Sequence, residues 1–169
     1  MKLLPQEFLI KTSELDKAKW NYDPFLRYFQ RARFRILLSL LRNARYNRLL
    51  EIGYGSGILL PELSRFCDEL YGIDTHPANK EVQGVLKCFG IKANLVQAST
   101  EKTMFPAQYF DCCIAVSTLE YVTNIRAGCL EIRRILVPGG ILALVTPGHS
   151  GLVDFGLQIL TGKSPKAEY

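Results

Sequence analysis

The sequence lacks any apolar run approaching the ~20 residues that cross a membrane. Its opening, Met1-Lys2-Leu3-Leu4-Pro5-Gln6-Glu7, breaks after two leucines and does not read as a secretory leader. Cysteine is sparse and unpatterned: of five, Cys112 and Cys113 are adjacent, and Cys67, Cys88 and Cys129 stand alone. An odd count without C-x-x-C spacing argues against a disulfide framework and against a zinc site, so no metal is expected. Reduced thiols and a cytoplasmic setting are the reading that follows. Histidine is limited to His76 and His149, tryptophan to Trp20. There are no repeats and no low-complexity tracts.

What is present is enough for one globular domain: 169 residues, 48% hydrophobic and 22% charged. The formal charge is +5, and it is uneven. Residues 1–48 carry 11 Lys/Arg against 4 Asp/Glu, whereas residues 49–169 carry 10 against 12. A nucleic-acid binder spread over the whole chain is therefore disfavoured, and the basic excess calls for a local explanation.

From Phe25 to Tyr46 the spacing predicts an amphipathic helix. Phe25, Phe29, Ala32, Ile36 and Leu40 form its apolar stripe, widened by Leu26, Leu37, Leu41 and Ala44. Arg27, Arg31, Arg35 and Arg42 fall opposite. Pro24 suits a first turn and Asp23 a cap. This arginine face reads as solvated, or as a contact for a phosphorylated or lipid-linked molecule or an anionic membrane surface. Lys19-Trp20-Asn21-Tyr22, just before it, reads either as core packing of the tryptophan or as an aromatic lid.

Beyond residue 48, strands alternate with helices. Strands are expected at 48–52, 69–74, 93–97, 109–116 and 141–145, and helices at 59–63, 77–89, 125–136 and 152–160, with Pro138-Gly139-Gly140 as a turn. This order predicts an α/β fold: a doubly wound, mostly parallel sheet of about five strands with helices on both faces. The expected division is a helical extension over 1–47 and a ligand-binding core over 48–169.

The most informative stretch is Leu50-Glu51-Ile52-Gly53-Tyr54-Gly55-Ser56-Gly57, a strand running into alternate glycines and then a helix. Glycines there allow a sharp turn and close approach of a ligand to the backbone. A dinucleotide fingerprint would need glycine at position 58, which is Ile58. Asp74, 17 residues past Gly57 at the end of the second strand, is placed to accept hydrogen bonds from a ribose diol. Glu51, beside the loop, is unhelpful to a pyrophosphate but suits a ligand carrying an ammonium and a sulfonium, such as S-adenosylmethionine.

On these motifs the chain resembles the class I S-adenosylmethionine-dependent methyltransferases, of the small-molecule type related to quinone-biosynthesis enzymes. The resemblance spans about Arg48 to Pro147. It includes the glycine loop, Asp74, the stretch from Phe110-Asp111 to Val116-Ser117-Thr118-Leu119-Glu120-Tyr121-Val122, and Glu131 to Gly140. It implies a Rossmann-like fold, S-adenosylmethionine as cofactor, S-adenosylhomocysteine as product, and methyl transfer to a small-molecule or lipid-linked acceptor. Glu51, Gly53, Tyr54, Gly55, Gly57, Asp74, Ser99, Thr100 and Ser117 are the implied cofactor contacts. Two positions depart from the family. Ser99 stands where an Asp usually binds the adenine amino group, and Tyr121 where many relatives have His. His149 and Tyr121 are the candidates for a catalytic side chain; His76 is a weaker one, and an imidazole titrating near pH 6.5 suits a general base.

The family usually adds two strands beside the fifth. With only Gly148 to Tyr169 remaining, Ile141 to Val145 is expected at an uncovered sheet edge. A second copy of the chain covers that edge, or the chain is a piece of a longer protein. The alternative to an enzyme is a non-catalytic domain that binds S-adenosylmethionine and acts through a partner chain.

Overall fold

A computed structural model describes residues 1–41 and 44–146. The expected helix at 152–160 and His149 lie outside the described residues.

Five strands form one parallel sheet: β1 (Tyr46–Ile52), β2 (Cys67–Asp74), β3 (Asn94–Gln97), β4 (Phe110–Val116) and β5 (Leu136–Val145). Their order is β3-β2-β1-β4-β5. β1 pairs with β2 on one side and β4 on the other, with Leu50 opposite both Tyr71 and Cys113. Apolar runs without polar alternation fit strands covered on both faces. The parity of β1 and β4 divides the core. Leu49, Cys112 and Ile114 face one layer with Phe34, Leu37, Leu60 and Val82. Leu50, Cys113 and Ala115 face the other with Ile132 and Ile135. Helices α1 (Leu26–Leu41), α2 (Leu60–Leu63) and α3 (Asn79–Cys88) thus cover the first face and α4 (Ile125–Ile135) the second.

Three local expectations change. The first helix ends at Leu41, and Tyr46 already belongs to β1, paired with Cys67. The fifth strand starts at Leu136, so Pro138-Gly139-Gly140 lies within it, where the register against β4 shifts between Phe110 and Cys112. A bulge of this kind admits a proline and glycines that a regular strand excludes.

The third change concerns α1. Its buried residues are Leu26, Gln30, Phe34, Leu37, Leu38 and Leu41. The stripe expected to be buried is instead exposed: Phe25 is 68% accessible, Ile36 58% and Leu40 63%. Two apolar stripes lie on one helix, and spacing alone does not say which of them meets the sheet. The cap is as expected, Asp23 Oδ1 accepting from the amides of Phe25 and Leu26 at 2.8 and 2.9 Å.

Candidate functional site

Where the strand order reverses, the carboxyl ends of β1 and β4 part and open a crevice. A cavity of about 1310 Å³ occupies it, floored by the loops after β1, β2 and β4 and walled by α1 and residues 12–21.

The glycine loop is pinned to β2. The Gly53 amide donates to Ile73 O at 2.8 Å. The Gly55 amide donates to Asp74 Oδ2 at 2.8 Å, and Gly55 O lies 3.0 Å from His76 Nε2. Because His76 Nδ1 accepts from the Ala78 amide at 3.1 Å, Nε2 carries the proton and donates to Gly55 O. Both polar groups of Gly55 are thus held, and the His76 ring packs edge-on against Tyr54. Asp74 Oδ1 accepts from the Thr75 amide at 2.7 Å. The N-terminal segment crosses this loop, the Leu4 amide donating to Ile58 O at 3.2 Å and the Asp16 carboxylate lying against Gly55.

The glycines have unequal reasons. At Gly53, φ is +74° and an added Cβ would overlap the Thr118 side chain that closes over it from the loop after β4. At Gly57, φ is +73° and a Cβ would press on Val82 of α3 at 2.9 Å. Gly57 is not among the cavity-lining residues; it seats the loop against α3.

Glu51 carries the electrostatic signature of the site. Its parity follows Leu49, so its carboxyl emerges on the α1 side at the cavity floor, only 5% accessible. Burial first, and the Asp74 charge second, raise its pKa from 4.5 to about 8. Its Oε2 has no hydrogen-bond partner, and neither do Asn21 Oδ1, Tyr54 Oη or Ser56 Oγ, all buried on lining residues. Buried polar atoms are nearly always satisfied, so four orphans around one cavity mark a surface built for a polar ligand.

The other expected residues divide. Ser99, Thr100, Ser117 and Tyr121 line the same cavity as Glu51, Gly53, Tyr54, Gly55 and Asp74. Ser117 is held at φ +50°, a strained backbone for a residue with a Cβ, and its amide donates to Val145 O at 2.7 Å. Thr100 is buried and also packs toward Gly128 of α4. His76 lines the cavity with both ring nitrogens engaged in shaping the loop.

Arg33 is a lining residue the sequence pattern did not single out. It sits between the buried and exposed stripes of α1, and its guanidinium donates to Ser117 Oγ and to Gln30 Oε1. The arginine pattern drew attention to Arg27, Arg31 and Arg35 because they fall on one side, whereas Arg33 falls on another. Asn21 was legible only as part of an aromatic segment. The cavity therefore has an acidic floor at Glu51 and Asp74 and a cationic wall at Arg33. It suits a ligand bearing both charges.

A family model described as a methyltransferase domain matches residues 50–144. Among curated proteins, the chain is 34% identical over 119 residues to a ubiquinone/menaquinone biosynthesis C-methyltransferase UbiE of Pseudomonas putida, covering 67% of this chain and 46% of that protein. It is 28% identical over 102 residues to a ubiquinone biosynthesis O-methyltransferase of Rhodopseudomonas palustris, covering 59% of this chain and 39% of that protein. The chain thus spans less than half the length of these relatives. Among solved structures, a SAM-dependent methyltransferase from Aquifex aeolicus superposes with TM-score 0.64 at 17% identity, over 88% of this chain and 87% of that one. The YcgJ protein of Bacillus subtilis superposes with TM-score 0.66 at 19% identity, over 77% and 57%. At these identities the superpositions bear on the fold.

Proposed function

Because the chain belongs to the methyltransferase domain family, in its class I S-adenosylmethionine-dependent branch, we propose that it transfers a methyl group from that cofactor to a small-molecule or lipid-linked acceptor. The observation that carries the reading is Glu51, a buried carboxyl with an unpartnered oxygen on the floor of a cavity that Arg33 also lines.

The residues fit the cofactor group by group. Glu51 and Asn21 would hold the ammonium and Arg33 the carboxylate of the amino-acid part. The backbone from Gly53 to Gly55 would lie beneath it, with Tyr54 and Ser56 supplying further polar atoms. Asp74 would accept from the ribose hydroxyls, and Ser99 and Thr100 would edge the adenine. Ser117 and Tyr121, after β4, would border the acceptor. Bound there, the cofactor supplies an electrophilic methyl on a positively charged sulfur, already attached to a good leaving group. The protein's part is then to align the acceptor and keep water out. Trp20, Phe29 and Ile36 supply the apolar wall for that purpose. A base is needed only when the acceptor must lose a proton, so Tyr121 and His149 stay candidates for that role.

Calorimetric titration tests the assignment: S-adenosylmethionine and S-adenosylhomocysteine bind, NAD does not. Binding of NAD alone would sink it. Turnover on a panel of phenolic, amine and activated-carbon acceptors then separates an enzyme from a non-catalytic cofactor-binding domain.

The division at residue 47 into helical extension and core belongs to the same proposal, as does a cytoplasmic setting, which all five cysteines being free supports. Ile141, Leu142 and Leu144 are exposed on β5, and among the described residues no strand pairs with its outer edge. A second copy of the chain joined at this edge is the proposed assembly.

A further inference from the structure

The outer face of α1 is apolar, cationic and beside the cavity mouth. Phe25, Tyr28, Phe29, Ile36 and Leu40 are exposed over four turns, and Phe29 and Ile36 also line the cavity. Within Leu26–Leu41 there are four arginines and neither Asp nor Glu. Arg31 is bound to Asn21 O at 3.0 Å, whereas Arg27 and Arg35 flank the stripe exposed. Large exposed aromatics are costly in water unless something covers them. A second copy stacked on this face would bring arginine against arginine with no acid to offset them. A protein groove could take the apolar stripe but has no evident reason to require a helix devoid of acids. An interface of anionic lipid meets both demands: aromatic and aliphatic side chains enter the headgroup boundary, and arginines meet phosphates.

We infer that α1 docks this chain on an anionic membrane surface, with the exposed stripe in the headgroup region and the cavity mouth facing the bilayer. Phe29 and Ile36 then form a continuous apolar path from lipid to cavity. Docking gives a lipid-linked acceptor a route that avoids water. That purpose rests on the methyl-transfer reading of the cavity, but the docking itself does not.

The test uses the full chain with phosphatidylcholine vesicles, with and without phosphatidylglycerol, in a sedimentation assay. The chain pellets with the anionic vesicles and stays in solution with the neutral ones, and added salt weakens the association. R27Q/R35Q lowers the vesicle affinity about 25-fold, one factor of ~5 for each arginine near an anionic surface. F25S/L40S abolishes pelleting. Neither variant alters S-adenosylhomocysteine binding by calorimetry, because none of the four residues lines the cavity. Failure of the wild-type chain to pellet with anionic vesicles overturns the inference, as does equal pelleting of F25S/L40S. A dimer in sedimentation velocity that dissociates in F25S/L40S assigns the face to a second copy instead. Loss of S-adenosylhomocysteine binding with vesicle binding intact faults the cofactor reading and leaves the docking standing.

Discussion

At Glu51, burial and charge conflict, and the conflict is measurable. A carboxyl whose pKa rises from 4.5 to about 8 on folding binds its proton more tightly in the native state. Its stabilisation is complete below pH 4.5 and is lost as pH climbs through 8, at about 1–2 kcal/mol per pH unit within that window. Thermal unfolding of wild type and Glu51→Gln across this range should therefore diverge, with wild type falling relative to the variant; parallel curves would refute the assignment. A bound ammonium favours the ionised form, so cofactor binding below pH 8 should release a proton. Calorimetry in buffers of different ionisation enthalpy reads that release. Asp74→Asn should weaken S-adenosylhomocysteine about 10- to 100-fold by removing a charged acceptor, with little change in melting temperature. His76 is different, because both its ring nitrogens are engaged within the protein, one of them on the loop at Gly55 O. His76→Phe keeps the ring and loses the bond to Gly55 O, so the dissociation constant should rise about 5- to 10-fold. An unchanged constant would leave His76 a packing residue. Glu51 and Asp74 were legible from spacing alone, since each is tied to the glycine loop by strand length. Arg33 and Asn21 were not, because their relevance comes from elements that approach the loop from elsewhere in the chain.

The helix α1 illustrates the limits of periodicity at the next scale. Apolar residues at three- and four-residue spacing correctly indicated a helix, and Asp23 correctly indicated its start. The choice between two apolar stripes was decided by Phe34, Leu37 and Leu41 fitting against the sheet on the side of β5. Asp23 lies below its ordinary carboxylate range, held there by the amides of Leu26 and Phe25. Its contribution is present above the unfolded carboxylate pKa and disappears as pH falls through the lowered one. Asp23→Ala should thus unfold at lower urea than wild type near neutrality, and the two should converge in acid. The glycine loop offers a companion comparison. Gly57→Ala, with φ +73° and Val82 in the way, should destabilise by about 1–3 kcal/mol more than Gly90→Ala, which shares a positive φ but meets nothing within 4 Å. Urea denaturation of the two variants distinguishes packing from backbone strain.

For the whole molecule, the charge distribution and the sheet edge carry the proposals on association. The basic excess of residues 1–48 sits largely on and around α1, and the remainder of the chain is slightly acidic. Among the described residues no strand pairs with the outer edge of β5, where Ile141 and Leu144 are exposed, and the proposed pairing at that edge predicts self-association. Light scattering should report a dimer that Ile141→Lys converts to monomer; a monomer at high concentration in the unaltered chain contradicts the pairing. The alternation of strands and helices, the five strands and the crevice at the β1–β4 switch point all follow from local rules, since strand burial and crossover handedness are written in short apolar runs. By itself, then, the sequence determined the fold class, the glycine loop and the acid facing it, because those depend on residues near one another in the chain. Only the tertiary structure decided which stripe of α1 is buried, that Arg33 and Glu51 line one cavity, and that His76 clamps Gly55. Each of these is a contact between distant segments, chosen by how their surfaces pack.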